Sequence, residues 1–132
     1  MAYRHLLLLG IVLAGVCIGS ADAKMITVGQ GSDIWSFISP WAYGVSSWQQ
    51  PTVVAGDVLV FRWIGMRNVR QWATPLGYTA CWFGFAKTVA PQGYWGMVRY
   101  TVAPTESRTT LYFGSSIGDD CARNIKVRID VS

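Results

Sequence analysis

The segment Ala55-Gly56-Asp57, followed by Val58-Leu-Val-Phe-Arg-Trp63, constrains the fold of this chain most. A turn signal feeding a run of β-branched and aromatic residues marks a buried strand. Met25-Ile-Thr-Val-Gly29 alternates and ends at the Gly29/Gly31 turn, and Asn68-Val-Arg-Gln-Trp72 alternates again before Thr74-Pro75-Leu76-Gly77. Further strands are expected at Met97 to Val102, Thr109 to Phe113 and Ile125 to Val131. No apolar stripe with a period of roughly 3.6 residues persists long enough for a helix, so only short helical turns are expected, near Ser39 to Trp48 and near Cys81 to Ala86. Short strands punctuated by glycine and proline predict an all-β sandwich or barrel. With no internal repeat, linker or low-complexity segment, one domain is the economical reading.

The chain opens with Arg4 and His5, an uninterrupted apolar run from Leu6 to Ile18, and then Ala21-Asp22-Ala23. A positive start, an apolar stretch and a small-x-small site make residues 1–23 a secretory signal peptide. The run is too short for a membrane anchor, which needs about 20 apolar residues. The domain is therefore expected over residues 24–132. Lys126-Val-Arg-Ile-Asp-Val-Ser132 lacks the small-residue site and apolar tail of a lipid-anchored precursor. The expected product is a soluble extracellular protein with no transmembrane segment and no lipid anchor.

Cleavage after Ala23 changes what chemistry is available. Of the three cysteines, Cys17 leaves, and Cys81 and Cys121 most simply pair as one disulfide in a secreted domain. His5, the one histidine, leaves too. The formal net charge of +4 is unchanged, because Arg4 and Asp22 leave together. Its cations are scattered singly, so no nucleic-acid footprint is indicated, while mild attraction to acidic wall polymers or membrane surfaces is permitted.

Several of these residues resemble, in order, a plant phytocyanin of the cupredoxin superfamily. They are Ile26-Thr-Val-Gly29, Ile34-Trp35-Ser-Phe37, Trp48, Ala55 to Phe61, Asn68-Val69, Tyr78-Thr-Ala-Cys81, Leu111-Tyr-Phe113, and Cys121 followed by Lys126. The resemblance spans essentially the whole of residues 24–132. It implies a Greek-key β-sandwich of two sheets, with a disulfide between Cys81 and Cys121 near the metal-binding end. The layout looks more like the plantacyanins, or basic blue proteins, than the anchored early-nodulin-like members.

The same resemblance locates the copper ligands, and each position departs from the pattern. A blue-copper ion takes two imidazoles and a thiolate, with a weak axial ligand. The first histidine position holds Arg67, before Asn68-Val69. The cysteine position holds Ser115, the second histidine position Asp120, and the axial position falls near Ile125. With no histidine left and both cysteines paired, no such site can be assembled from residues 24–132. Copper is therefore expected to be absent. In its place Arg67, Asp120 and Ser115 are expected to form a polar cluster, with Arg67 reaching into water as the alternative.

Catalysis finds little support. Ser-His-Asp and Cys-His chemistry is excluded without histidine. A carboxylate pair remains conceivable, but Asp57 sits in a turn signal and Asp119 and Asp120 are sequence neighbours that diverge in an extended chain. Gly29-x-Gly31 lacks a third glycine and a following helix, so it is no phosphate cradle. The protein is not expected to be an enzyme.

Seven tryptophans remain: Trp35, Trp41, Trp48, Trp63, Trp72, Trp82 and Trp95. Trp35, Trp48 and Trp63 are expected in the core. Trp82, Phe83, Phe85, Tyr94 and Trp95 fall in glycine- and proline-punctuated segments, where they read either as packing or as an exposed recognition surface. Three functions stay open. One is an extracellular or cell-wall binding or signalling module for a wall glycan or protein. The second is a plantacyanin-type electron carrier, which the ligand inventory disfavours. The third is a structural or defence-related wall protein.

Overall fold

The computed structural model describes residues 23–29 and 41–132. The expected leader before Ala23, the Gly31 turn and Trp35 lie outside the described residues. Within them the chain forms a 5-stranded sheet. Its strands are β1 (Met25–Thr27), β2 (Val58–Trp72), β3 (Lys87–Thr101), β4 (Thr110–Gly114) and β5 (Lys126–Asp130), with one α-helix, α1 (Pro75–Ala80).

β3 runs antiparallel along nearly all of β2, from Val58 opposite Thr101 to Gln71 opposite Lys87. The other edge of β2 is shared. β1 pairs parallel with its start, Met25 opposite Val58, and β4 pairs antiparallel with its end, Trp72 opposite Tyr112. β5 extends the sheet from β4. The β2–β3 pair thus joins the other strands into one sheet among the described residues, where two were expected, and that sheet curls around the core. A parallel bridge from Val53 to Val131 and the Gln50 side chain, which donates to the Asp130 carbonyl at 2.8 Å, tie the loop before β2 to β5.

Two boundaries differ from the sequence reading. Residues 58–63 and 68–72 belong to one strand, because Gly65 does not stop it. Gly65 takes φ 97°, and the register with β3 shifts between Ile64 and Arg67 and again on either side of Val69. Such bulges bend a strand and strengthen its twist without ending it. β3 likewise starts well before Met97 and contains Pro91. Within the sheet it pairs with β2 alone, so a residue without an N–H is tolerated on its open edge.

The helix also lies earlier than expected, before Cys81 rather than after it. Pro75 occupies its first turn, where the missing N–H costs nothing, and Cys81 ends it in the left-handed region at φ 53°. The expected turn between Ser39 and Trp48 is present as a 3-10 turn at Val45–Ser47.

Period-two alternation fills the core. Leu59, Phe61 and Trp63 of β2, Leu111 and Phe113 of β4, and Val127 and Ile129 of β5 are all buried. Phe61 meets Trp41 edge-on at 5.1 Å between ring centroids and Phe113 at 4.9 Å. Trp41 is fully buried and donates its indole N–H to the Asn68 carbonyl at 2.8 Å, so its polar end is satisfied. Trp48 packs partly buried against this cluster.

Candidate functional site

The site is assembled from β2, the segment after β4 and the 3-10 turn at Cys121–Arg123. Arg67 follows the Gly65 bulge. Its Nη1 donates to the Ile64 carbonyl at 3.0 Å, so the bulge folds the side chain back along its own strand. Ser115 follows β4, where its N–H donates to the Ile125 carbonyl at 3.1 Å. Asp120 starts the 3-10 turn, and its carbonyl accepts from the N–H groups of Arg123 and Ile125, each at 3.0 Å.

Three of the four expected positions come together. The Ser115 hydroxyl donates to Asp120 Oδ2 at 2.7 Å, and the Arg67 Nε lies 3.8 Å from that same oxygen. The Arg67 and Asp120 side chains are only 14% and 12% exposed, so the pair is sheltered rather than extended into water. It is an ion pair without a direct hydrogen bond, since the Arg67 Nε is buried and has no hydrogen-bond partner. Ile125 is fully buried in the core and offers no donor.

Two further residues shape this end. Asn68 is buried and clamps the next residue, Ser116, twice: its Oδ1 accepts from the Ser116 N–H and its Nδ2 donates to the Ser116 hydroxyl, both at 2.8 Å. Tyr43 is exposed and lies beneath two guanidinium groups, Arg67 at 5.9 Å and Arg123 at 5.3 Å from its ring centre. The Arg123 Nη1 donates to the Tyr43 hydroxyl, while Arg123 Nε pairs with Asp119 at 2.7 Å. The Asn68-Val69 pair was a visible landmark in sequence. Tyr43 carried no signal, because nothing local ties it to arginines so far along the chain.

Cys81 and Cys121 form a disulfide with a Cα–Cα distance of 5.8 Å. It fastens the end of α1 to the 3-10 turn that begins beside Asp120. Lys126 covers it, with Nζ donating to the Tyr78 carbonyl at 2.9 Å and standing 4.6 Å over the Tyr78 ring. Burial pushes the Lys126 ammonium below its ordinary pKa.

The five aromatics of the expected surface separate. Trp82 and Phe85 stand exposed in the loop after α1 as an edge-to-face pair at 5.1 Å. Tyr94 and Trp95 stand exposed on β3, at 6.5 Å from each other. Trp95 is opposite Ile64, while Lys87, which follows the Trp82–Phe85 loop, is opposite Gln71, so the two pairs sit at different places along the β2–β3 ladder. Phe83 does not join either pair. It packs against Trp72 at 4.6 Å and lies under Arg70, whose Nη2 donates to the Ala86 carbonyl at 2.6 Å. The loop presents Trp82 and Phe85 outward because Phe83 and the Trp72 indole, donating to the Trp82 carbonyl at 2.7 Å, hold it from inside.

Among the described residues, no three His, Cys, Asp or Glu side chains gather in a metal-binding group, and no helix is long and apolar enough to cross a membrane. No protein-family model and no curated protein matches the chain. Solved structures do. Cucumber basic protein, a blue copper protein, superposes with a TM-score of 0.58 at 19% identity, over 82% of this chain and 99% of its own. Spinach plantacyanin gives 0.57 at 24%, over 82% and 99%. Cucumber stellacyanin, in a structure with Cu2+, gives 0.57 at 22%, over 83% and 96%. At these identities the likeness is one of fold: a curled, strand-dominated sheet with a single helix among the described residues and the Cys81–Cys121 disulfide, of the cupredoxin type.

Proposed function

We propose that this chain is a secreted, copper-free member of the phytocyanin-like proteins that acts as an extracellular binding module. The observation that carries the reading is the Arg67–Asp120–Ser115 cluster. The donor set at these positions does not fit a blue-copper ion, which takes imidazole and thiolate. A guanidinium stays protonated at any physiological pH, so Arg67 offers neither a lone pair nor a neutral site. A cation placed there meets a positive charge already paired to the carboxylate.

A sandwich without a redox centre still presents a surface. Trp82, Phe85, Tyr94 and Trp95 are exposed large hydrophobics, with Phe85 at 88% and Trp95 at 73%. Aromatic side chains held outward on a rigid frame favour recognition of an extracellular protein or a wall glycan. The leader sequence supports secretion to the extracellular space or wall.

Two measurements test this. Purified secreted protein titrated with copper(II) should stay without an intense thiolate-to-copper band; such a band overturns the copper-free reading and restores electron transfer. A screen of wall glycans and receptor ectodomains should give a binder that Trp82→Ala or Trp95→Ala weakens. If neither substitution affects a binder found with the intact protein, the aromatic pairs are not its site.

A further inference from the structure

Asp57 is the one fully buried carboxylate among the described residues. It accepts the Lys24 backbone N–H on Oδ1 at 3.0 Å, and both the Lys24 Nζ and the Val54 N–H on Oδ2 at 2.9 Å. The Lys24 carbonyl accepts from the Val58 N–H at 2.9 Å, and β1 starts at the next residue, Met25. Lys24 is thus fixed to the domain through both backbone groups and its side chain. Ala23, one residue earlier, is exposed. The peptide bond that the small-x-small signal marks for cleavage is therefore the one whose nitrogen Asp57 already holds.

We propose that cleavage between Ala23 and Lys24 converts the Lys24 backbone nitrogen into an α-ammonium that forms an ion pair with buried Asp57. The inference rests on the signal-peptide reading above and adds a structural role for the new terminus. Water adds across the amide, Ala23 leaves with a carboxylate, and the Lys24 nitrogen takes up a proton. That nitrogen already stands at hydrogen-bond distance from Oδ1, so the charge arrives where a neutral amide had donated. A charge-assisted hydrogen bond is roughly twice as strong as a neutral one. The charged groups in direct contact around this point are Asp57, from the turn before β2, and the ε-ammonium of Lys24 itself; β2 contributes the Val58 amide.

The test uses protein secreted from the full-length chain. N-terminal sequencing should give Lys24 first. The rate of α-amine labelling by an amine-selective aldehyde is then measured against pH, folded and in denaturant. Pairing raises the α-amine pKa above its ordinary value of about 7.7–8.0, and each unit slows labelling near neutral pH about tenfold. Burial without a partner shifts it the other way. Slower folded labelling with a raised midpoint supports the pair. Equal rates, or a lowered midpoint, overturn it while leaving secretion intact. A different first residue, or a retained leader, overturns the cut site and the pair together. Asp57→Asn, where it folds, should return the folded labelling rate to that of the denatured chain. Should it not fold, the comparison of folded and denatured wild-type protein still decides.

Discussion

The Arg67 guanidinium and the Asp120 carboxylate lie 3.8 Å apart and are joined through the oxygen that also receives the Ser115 hydroxyl. The arrangement links β2 to the turn carrying the disulfide, so its members should be energetically coupled. Asp120→Ala removes the acceptor of Ser115 and the counter-charge of Arg67 and should cost about 1–3 kcal/mol. In a double-mutant cycle with Arg67→Ala, denaturant unfolding should show a coupling of about 1 kcal/mol. Additivity within about 0.3 kcal/mol would mean that the two side chains are neighbours without an interaction.

Convergence of the three side chains makes these positions a target for building a metal site. Arg67→His, Ser115→Cys and Asp120→His together place two imidazoles and a thiolate on backbone positions that already bring their side chains together. The folded triple variant should acquire intense visible absorption with copper(II), and Ser115→Cys omitted should abolish it. A folded triple variant that binds copper without that absorption would show that the backbone does not support trigonal ligation.

How far the sequence carried depends on whether the signal was local. Strand patterning in Leu59-x-Phe61-x-Trp63 and Val127-x-Ile129 is local, and both sets are buried, the first as expected of a buried strand. The strand bounds expected at Trp63, Asn68 and Met97 fall inside β2 and β3, because a glycine or proline such as Gly65 or Pro91 looks the same in a loop as in a bulged or edge strand; the partner strand decides. α1 spans six residues, too few for an apolar stripe, and its position is fixed by Pro75 and by Cys81 at the disulfide. Arg67, Ser115 and Asp120 were located by resemblance. Tyr43 and the Asn68 clamp on Ser116, 48 residues away, depend on long-range packing that no window of sequence contains.

The tryptophans divide by what surrounds them, and their substitutions should divide likewise. Trp41→Ala and Trp63→Ala should each cost about 3–5 kcal/mol, because both indoles are buried and hydrogen-bonded, Trp63 to the Gly93 carbonyl at 2.9 Å. Trp95→Ala, 73% exposed, should stay within about 0.5 kcal/mol. Phe83→Ala should behave as a packing change. Urea midpoints measure all four, and a Trp95→Ala loss as large as that at Trp63 would place Trp95 in the core.

Trp72 is enclosed by two glycines. A Cβ added at Gly77 would meet the Trp72 Cδ1 at 2.3 Å, and one at Gly114 would meet its Cη2 at 2.4 Å. Trp72 is buried and anchored through its indole N–H, so it cannot yield. Gly114→Ala should therefore cost about 1–3 kcal/mol through overpacking. Gly84→Ala meets the Trp82 ring as closely, at 2.3 Å, but that ring is 55% exposed and can swing away. Its thermal midpoint should stay near wild type, and equal losses at both glycines would contradict the distinction.

Asp57 should make the domain acid-sensitive. Burial pushes its carboxyl up, but the Val54 amide, the Lys24 ammonium and the Lys24 amide together hold it below the ordinary carboxylate value. A carboxyl with a depressed folded pKa contributes stability that is fully present above the unfolded pKa of about 3.9 and is lost as pH falls through the folded value. Asp57→Asn should accordingly cost most at neutral pH, by about 1–3 kcal/mol, since it leaves the Lys24 ammonium without its counter-charge. The gap between the two proteins should narrow as the pH drops below about 4. Denaturant unfolding from neutral pH down to the acid limb measures that gap. A difference that stays constant into the acid limb would mean that Asp57 stabilises the turn through its shape and not through its charge.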